Sequence, residues 1–187
     1  GQASAGNITM DSPAGLIRAR IENPEIVSVD MGVPNFDPAS LPVDVSGEAN
    51  VYQLDVAGTQ VEIGAVSMGN PHAVLTVASA AAAPVDRLGP AIESHRRFPK
   101  RVNVGFMQIV DRSHIILRVF ERGTGETLAC GTGACAAVAV GRRHGRLDAD
   151  VHVRVPGGEL RVHWDGPGEH IWLTGPAEVS FEGRVEL

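Results

Sequence analysis

Alternation of apolar and polar side chains with period two dominates the chain. Residues 16–21 (LIRARI) alternate cleanly, and residues 25–31 (EIVSVDM) follow with the same period. Residues 50–57 and 60–66 flank Gly58 as a hairpin, and residues 72–78 make a further strand. Residues 102–110 and 115–120 flank the turn DRSH, and residues 151–155 and 159–164 flank PGG. Residues 170–174 and 178–181 read as the closing strands. Two segments carry helical patterns instead. Residues 85–97 (VDRLGPAIESHRR) are polar on one side, with Pro90 expected in the first turn, where a missing N–H is harmless. Residues 132–144 are Ala/Val-rich on nearly every side up to Gly141, which predicts a helix buried all round. Gly145 follows as its C′ residue, and Arg142, Arg143 and His144 suit the negative end of its dipole. The pieces predict an α+β fold: a mostly antiparallel, many-stranded sheet wrapped around a small central helix. The stretch NFDPASLPVD, residues 35–44, reads as the linker.

Composition narrows the function classes. At 187 residues and 43% hydrophobic, the chain supplies one substantial core, or one domain and part of another. Its net charge is −6, and its longest basic cluster is Arg142, Arg143, His144 and Arg146, expected at a solvated helix end. A nucleic-acid partner is therefore not expected, since phosphate binding needs a clustered basic face. No apolar run approaches the roughly 18 residues of a spanning helix, and no signal-peptide pattern is present, so no membrane partner is expected. Two cysteines do not make a disulfide framework, and a reducing cytoplasm is the expected location. The chain begins GQASAGNITM without an initiator methionine, which suggests a processed chain or a fragment.

Chemistry concentrates in ERGTGETLACGTGACAAVAVGRRHG, residues 121–145, which holds both Cys130 and Cys135. Cys130 stands just before the second helix, with Gly131, Thr132 and Gly133 in the first turn. Free N–H groups and a partial positive charge collect there, so a thiol is expected to ionise more easily and a carboxylate to find donors. The same pattern also fits a small residue in a Gly-rich turn, and the local sequence leaves the two readings balanced. Cys135 falls inside the helix and is expected to pack in the core. No metal site is expected: C-x4-C is wide for a zinc knuckle and no second pair exists. Glu121–Arg122 ends a strand directly before this loop, as a surface pair or as groups for a substrate's ammonium and carboxylate. SMGNPHA, residues 67–73, is a turn holding Asn70 and His72, and Asn103 is a polar amide in an otherwise apolar strand that needs partners.

Taken together, SMGNPHAV, RFPKRVNVGFMQIV and VFERGTGETLACGTGACAAVAVG, followed by PGGEL and WLTGPAEVSFEG, resemble the diaminopimelate epimerases in order and spacing. NITMDSPAGLIRARI and DMGVPNF resemble the middle of that family's chain, so the resemblance covers essentially all 187 residues and leaves roughly the family's first third without a counterpart. It implies a fold of two pseudo-symmetric halves, each a sheet around a central helix, with the site in the cleft between them. It implies epimerisation of LL- to meso-diaminopimelate, in lysine and peptidoglycan precursor synthesis, with no pyridoxal phosphate or other cofactor. Each half of the family's fold supplies one cysteine, one acting as thiolate base and the other as acid.

Carried onto this chain, Cys130 resembles the second-half catalytic cysteine, and Gly131 and Thr132 the turn that holds the reacting carboxylate. Asn70, Asn103, Glu121 and Arg122 match substrate-binding residues, and Glu121 and His72 match groups placed to handle protons. The first-half motif, an MCGNG-like turn, has no counterpart. The expected organisation is a remnant of the N-terminal domain and crossover (1–36), the C-terminal epimerase domain (37–175) and a tail returning toward the N-terminal domain (176–187). The expected partners are the small-molecule substrate diaminopimelate, the N-terminal half that the chain lacks, and a second copy in a homodimer. Alone, such a fragment is expected to be inactive. The alternatives are another cofactor-free isomerase or racemase of the same fold, and a noncatalytic dimerising half-domain.

Overall fold

A computed structural model describes residues 6–12, 15–41, 47–179 and 181–184. Twelve strands and two helices make up the regular structure of the described residues. The strands are β1 (Gly6–Ser12), β2 (Gly15–Asn23), β3 (Ile26–Asp30), β4 (Tyr52–Val56), β5 (Thr59–Ser67), β6 (Pro71–Thr76), β7 (Asn103–Asp111), β8 (His114–Glu121), β9 (Gly125–Thr127), β10 (Asp150–Val155), β11 (Gly158–His163) and β12 (Trp172–Pro176). The helices are α1 (Val85–Glu93) and α2 (Gly131–Arg143), and Pro38–Ser40 adds one 3-10 turn. All strands join one sheet in the order β1-β2-β3-β12-β11-β10-β8-β7-β6-β5-β4, with β9 paired to β8 off that path. Among the described residues, only the β6/β7 and β8/β10 pairs are parallel.

The sheet curls around α2, which touches β5, β6, β7, β8, β11 and β12. Every α2 residue from Gly133 to Gly141 is buried, as the Ala/Val run predicts. Small side chains let the strands approach closely. A Cβ on Gly64 of β5 would stand 2.3 Å from Val140 Cγ1. The middle strands are covered on both faces. Val66, Val74 and Met107 pack with α2, whereas Ala65, Ala73, Leu75, Val104 and Phe106 pack in a second cluster with Val85 and Ile92 of α1. Two-sided burial explains why the central β6/β7 pair reads as nearly continuous apolar sequence rather than strict alternation. The β4–β5 hairpin turns at Ala57 and Gly58, both with positive φ (51° and 80°), as a tight hairpin of right-twisted strands requires.

Several sequence expectations need correction. The first helix ends at Glu93 rather than at residue 97, and Pro90 lies inside it rather than in the first turn. The ring sits on the exposed side of the helix, one turn from its end, and the Ser94 hydroxyl donates to the Pro90 carbonyl at 2.7 Å in that last turn. The last strand is Trp172–Pro176, and residues 177–179 and 181 form no strand, so the expected strand at 178–181 is absent where it is described; residue 180 lies outside the described residues. β1 and β9 were not expected. β1 and β2 pair as a largely exposed hairpin, with Leu16 at 65% exposure, so its side chains carry little core signal. Within the linker candidate, residues 42–44 lie outside the described residues, while Leu41 is buried.

Candidate active site

Cys130 is the N-cap residue of α2, in extended conformation (φ −138°, ψ 106°), and is 6% exposed. It follows β9, so one short stretch of chain runs from sheet to helix at the thiol. Glycine is needed next to it. A Cβ on Gly133 would meet Val119 Cγ2 at 3.0 Å and the Cys130 sulfur at 3.2 Å, and one on Gly131 would meet Leu173 at 2.9 Å. With no Cβ at either position, the first turn of α2 packs directly against the strands and the sulfur.

Burial raises the Cys130 thiol above its ordinary pKa. The Thr132 hydroxyl, 3.6 Å from the sulfur, and the Gly133 N–H favour the thiolate but do not outweigh burial, and the Glu121 carboxylate raises the thiol further. The sequence expectation of an easily ionised thiol is therefore corrected: the helix terminus acts in the expected direction, but desolvation wins. Cys135 is fully buried in α2, and burial, with Cys130 adding to it, drives its pKa far up. Both thiols are free.

The turn before β6 approaches from one side. Asn70 Nδ2 donates to Thr132 Oγ1 at 3.5 Å, the outer limit for such a bond. His72 is 1% exposed, and burial, aided by the Arg122 charge, lowers its pKa to about 4. It is neutral at pH values well above that, and since Asn70 Oδ1 can only accept, His72 Nε2–H donates to it at 3.0 Å. The contact fixes the Asn70 amide with its nitrogen toward Thr132. His72 thus reaches the thiol only through Asn70 and Thr132.

From the other side comes the turn after β8. Glu121 Oε1 accepts the Thr127 hydroxyl at 2.6 Å. Arg122 donates from Nη1 to the Lys100 carbonyl at 3.0 Å. Asn103, 4% exposed, lies beneath both turns: Nδ2 donates to the Pro71 carbonyl at 3.1 Å, and Oδ1 accepts the Arg122 backbone N–H at 2.9 Å. Asn70, His72, Glu121, Gly131 and Thr132 therefore gather at Cys130, and Asn103 and Arg122 tie the two flanking turns together. Thr127 was missed by sequence reasoning, because a three-residue strand inside a Gly-rich stretch leaves no periodic signal.

Cavities of about 360 Å³ (lined by His114, His152 and Glu159 among others) and about 420 Å³ (Arg20, Asp150 and Trp172 among others) include none of these residues. Among the described residues no cluster of three or more His, Cys, Asp or Glu side chains is arranged to hold a metal ion, and no helix is long and apolar enough to cross a membrane.

Known proteins resemble this arrangement at two levels. At the level of fold, the chain superposes on a probable proline racemase from Agrobacterium radiobacter with a TM-score of 0.62, at 18% identity, over 95% of this chain and 61% of that one. A phenazine biosynthesis PhzF-family protein from Enterococcus faecalis gives a TM-score of 0.58 at 14% identity, over 100% of this chain and 67% of that one. At the level of sequence, the chain is 55% identical over 185 residues to the diaminopimelate epimerase of Alkalilimnicola ehrlichii, covering 99% of this chain and 66% of that protein. It is 55% identical over 180 residues to that of Nitrosomonas europaea, covering 96% and 66%. The chain thus spans just under two thirds of the length of these relatives. The family model for diaminopimelate epimerase matches residues 64–180, which hold every side chain gathered around Cys130, and the chain belongs to the diaminopimelate epimerase family.

Proposed function

We propose that the protein containing this chain interconverts LL- and meso-diaminopimelate, with Cys130 as one of two thiols acting on opposite faces of one α-carbon and no bound cofactor. The observation that carries the reading is the position of Cys130 at the N-cap of α2, beside the Thr132 hydroxyl, the Gly133 N–H and the Glu121 carboxylate. The α-proton of an amino acid is a weak acid, and its removal moves negative charge onto the carboxylate. Donors at a helix N-terminus stabilise that charge where it develops. The Cys130 thiolate takes the α-proton on one face, and the electron pair of the C–H bond passes toward the carboxylate. An opposing thiol then gives its proton to the other face. At the end the carbon is inverted and the two sulfurs have exchanged protonation states. Burial suits this role, because a desolvated thiolate is a stronger base than a hydrated one.

Cys135 cannot be the opposing acid, for it is buried in the same helix that Cys130 caps. The opposing thiol and the second cleft wall are assigned to sequence outside these 187 residues. Asn70, Glu121 and Arg122 are assigned to the substrate's distal amino-acid end, Arg122 for its carboxylate and Glu121 and the Asn70 amide for its ammonium, and Asn103 serves that end by holding the two turns that carry them. His72 holds Asn70 in its binding orientation.

The test measures epimerisation and solvent deuterium uptake at the α-carbon for the full-length protein, its Cys130→Ser variant and this chain alone. The full-length protein should turn over, the variant should lose epimerisation, and the chain alone should be inactive. Near-normal epimerisation by Cys130→Ser would remove Cys130 from the mechanism.

A further inference from the structure

Glu93 is the last residue of α1 and 6% exposed. A carboxylate there faces the negative end of the helix dipole, and burial adds to the cost. Nothing in the surrounding apolar cluster calls for a charge. Its partners offset that cost: Oε1 accepts the backbone N–H of Gly123 at 2.8 Å and lies 3.3 Å from Arg101 Nη1. One residue earlier, Asn103 Oδ1 accepts the N–H of Arg122 at 2.9 Å. Two successive peptide N–H groups of one turn are thus bound by two buried acceptors from different elements.

That double anchor fixes the peptide planes on either side of Arg122, and with them the direction in which its side chain leaves the backbone. Gly123 reverses the chain with a φ of 77°, and Thr124 N–H closes the turn on the Glu121 carbonyl at 3.1 Å. The 98–102 segment completes the clamp. The Lys100 carbonyl accepts from Arg122, and Arg101 reaches Glu93 from a φ of 62°, a conformation uncommon for a residue other than glycine.

We propose that Glu93 is a positioning residue for the Glu121–Arg122 turn, setting where the Arg122 guanidinium meets the charged distal end of the substrate. The inference rests on the epimerase reading above. Glu93 touches no substrate; it acts through the Gly123 N–H.

The test compares Glu93→Ala and Glu93→Gln with wild type in the full-length protein, following steady-state kinetics with diaminopimelate and the solvent exchange of the Gly123 amide. Glutamine keeps an acceptor oxygen for Gly123 and alanine does not. In Glu93→Ala the KM should rise about tenfold while kcat falls less than about threefold, because binding rather than the thiol chemistry is displaced. Glu93→Gln should recover most of that KM, and Gly123 should exchange faster in the alanine variant only. A folded Glu93→Ala with unchanged KM overturns the proposal, as does a Glu93→Gln no better than Glu93→Ala. Lack of turnover in the wild-type protein would instead sink the epimerase reading, and the amide then decides the clamp alone: equal Gly123 exchange in wild type and Glu93→Ala overturns it.

Discussion

Asn103 accepts the backbone N–H of Arg122 at 2.9 Å, and through its other amide atom it donates to Pro71 at 3.1 Å. One buried side chain therefore joins the turn that carries Asn70 to the turn that carries Arg122. Both ends of its amide are used, so its hydrogen bonding to the protein alone accounts for a polar residue at 4% exposure.

Asn103→Ala leaves a buried acceptor on Pro71 and a donor on Arg122 without partners. An orphaned buried group costs about 1–3 kcal/mol, so the variant should lose about 2–4 kcal/mol in urea unfolding. Asn103→Asp keeps the acceptor for Arg122 but sets a carboxylate against the Pro71 carbonyl, and should be at least as unstable. A loss below about 1 kcal/mol for both variants would mean that water replaces the amide at no cost.

His72 supplies a pH dependence. Its folded pKa is about 4 against an ordinary 6.5, so the unfolded chain binds more protons between those values. Stability from this group is fully present above about pH 6.5 and is lost as pH falls toward 4. The size is on the order of 3 kcal/mol for a group this buried. His72→Gln cannot be protonated there. The stability difference between wild type and His72→Gln, measured by urea unfolding along a pH series, should shift in favour of the variant by about that amount on acidification. A difference independent of pH would show that His72 titrates normally.

Close packing of β5 on α2 gives a pairwise test. Gly64→Ala should cost about 1–3 kcal/mol, because its Cβ would overlap Val140 and the core must move. Val140→Ala makes room for that methyl. The double variant should therefore be more stable than the sum of the singles by about 1–2 kcal/mol. Strict additivity would place the overlap elsewhere.

The central helix was legible because α2 is buried on every side, and burial all round leaves a continuous Ala/Val run. The hairpins were legible for a related reason, since turn residues such as Gly58 and Gly158 adopt a positive φ and carry backbone demands of their own. The sheet order was not, because the parallel pairing of β8 with β10 joins strands across α2 and leaves no local mark. The position of Pro90 was misjudged because the helix is short and runs only over Val85–Glu93, so a proline on its exposed side falls in its interior rather than in its first turn. Glu93 read as one more polar residue of an amphipathic helix, since its partners lie at Arg101 and Gly123 in other segments. At the site, the helix-end effect on Cys130 could be inferred from sequence, but the opposing desolvation needs the packed strands.

That balance at Cys130 can be shifted one contribution at a time. Burial holds the thiol up, and Glu121 raises it further both by its charge and by accepting from the S–H. The Glu121 carboxylate also accepts from Thr127, so Glu121→Gln keeps a side chain of the same shape that can still meet that hydroxyl. Removing the charge should lower the Cys130 pKa. At a fixed pH below that pKa the thiolate fraction rises, and alkylation by iodoacetamide should speed up several-fold. Cys135, fully buried, should stay unmodified in the folded protein of both forms and react only on unfolding. The measurement is the rate of mass gain at each cysteine, followed by peptide mapping across a pH series. An unchanged or slower rate at Cys130 in Glu121→Gln would show that the carboxylate does not act on the thiol. The electrostatic coupling between Glu121 and Cys130 would then have to be discarded, together with any proton exchange between them.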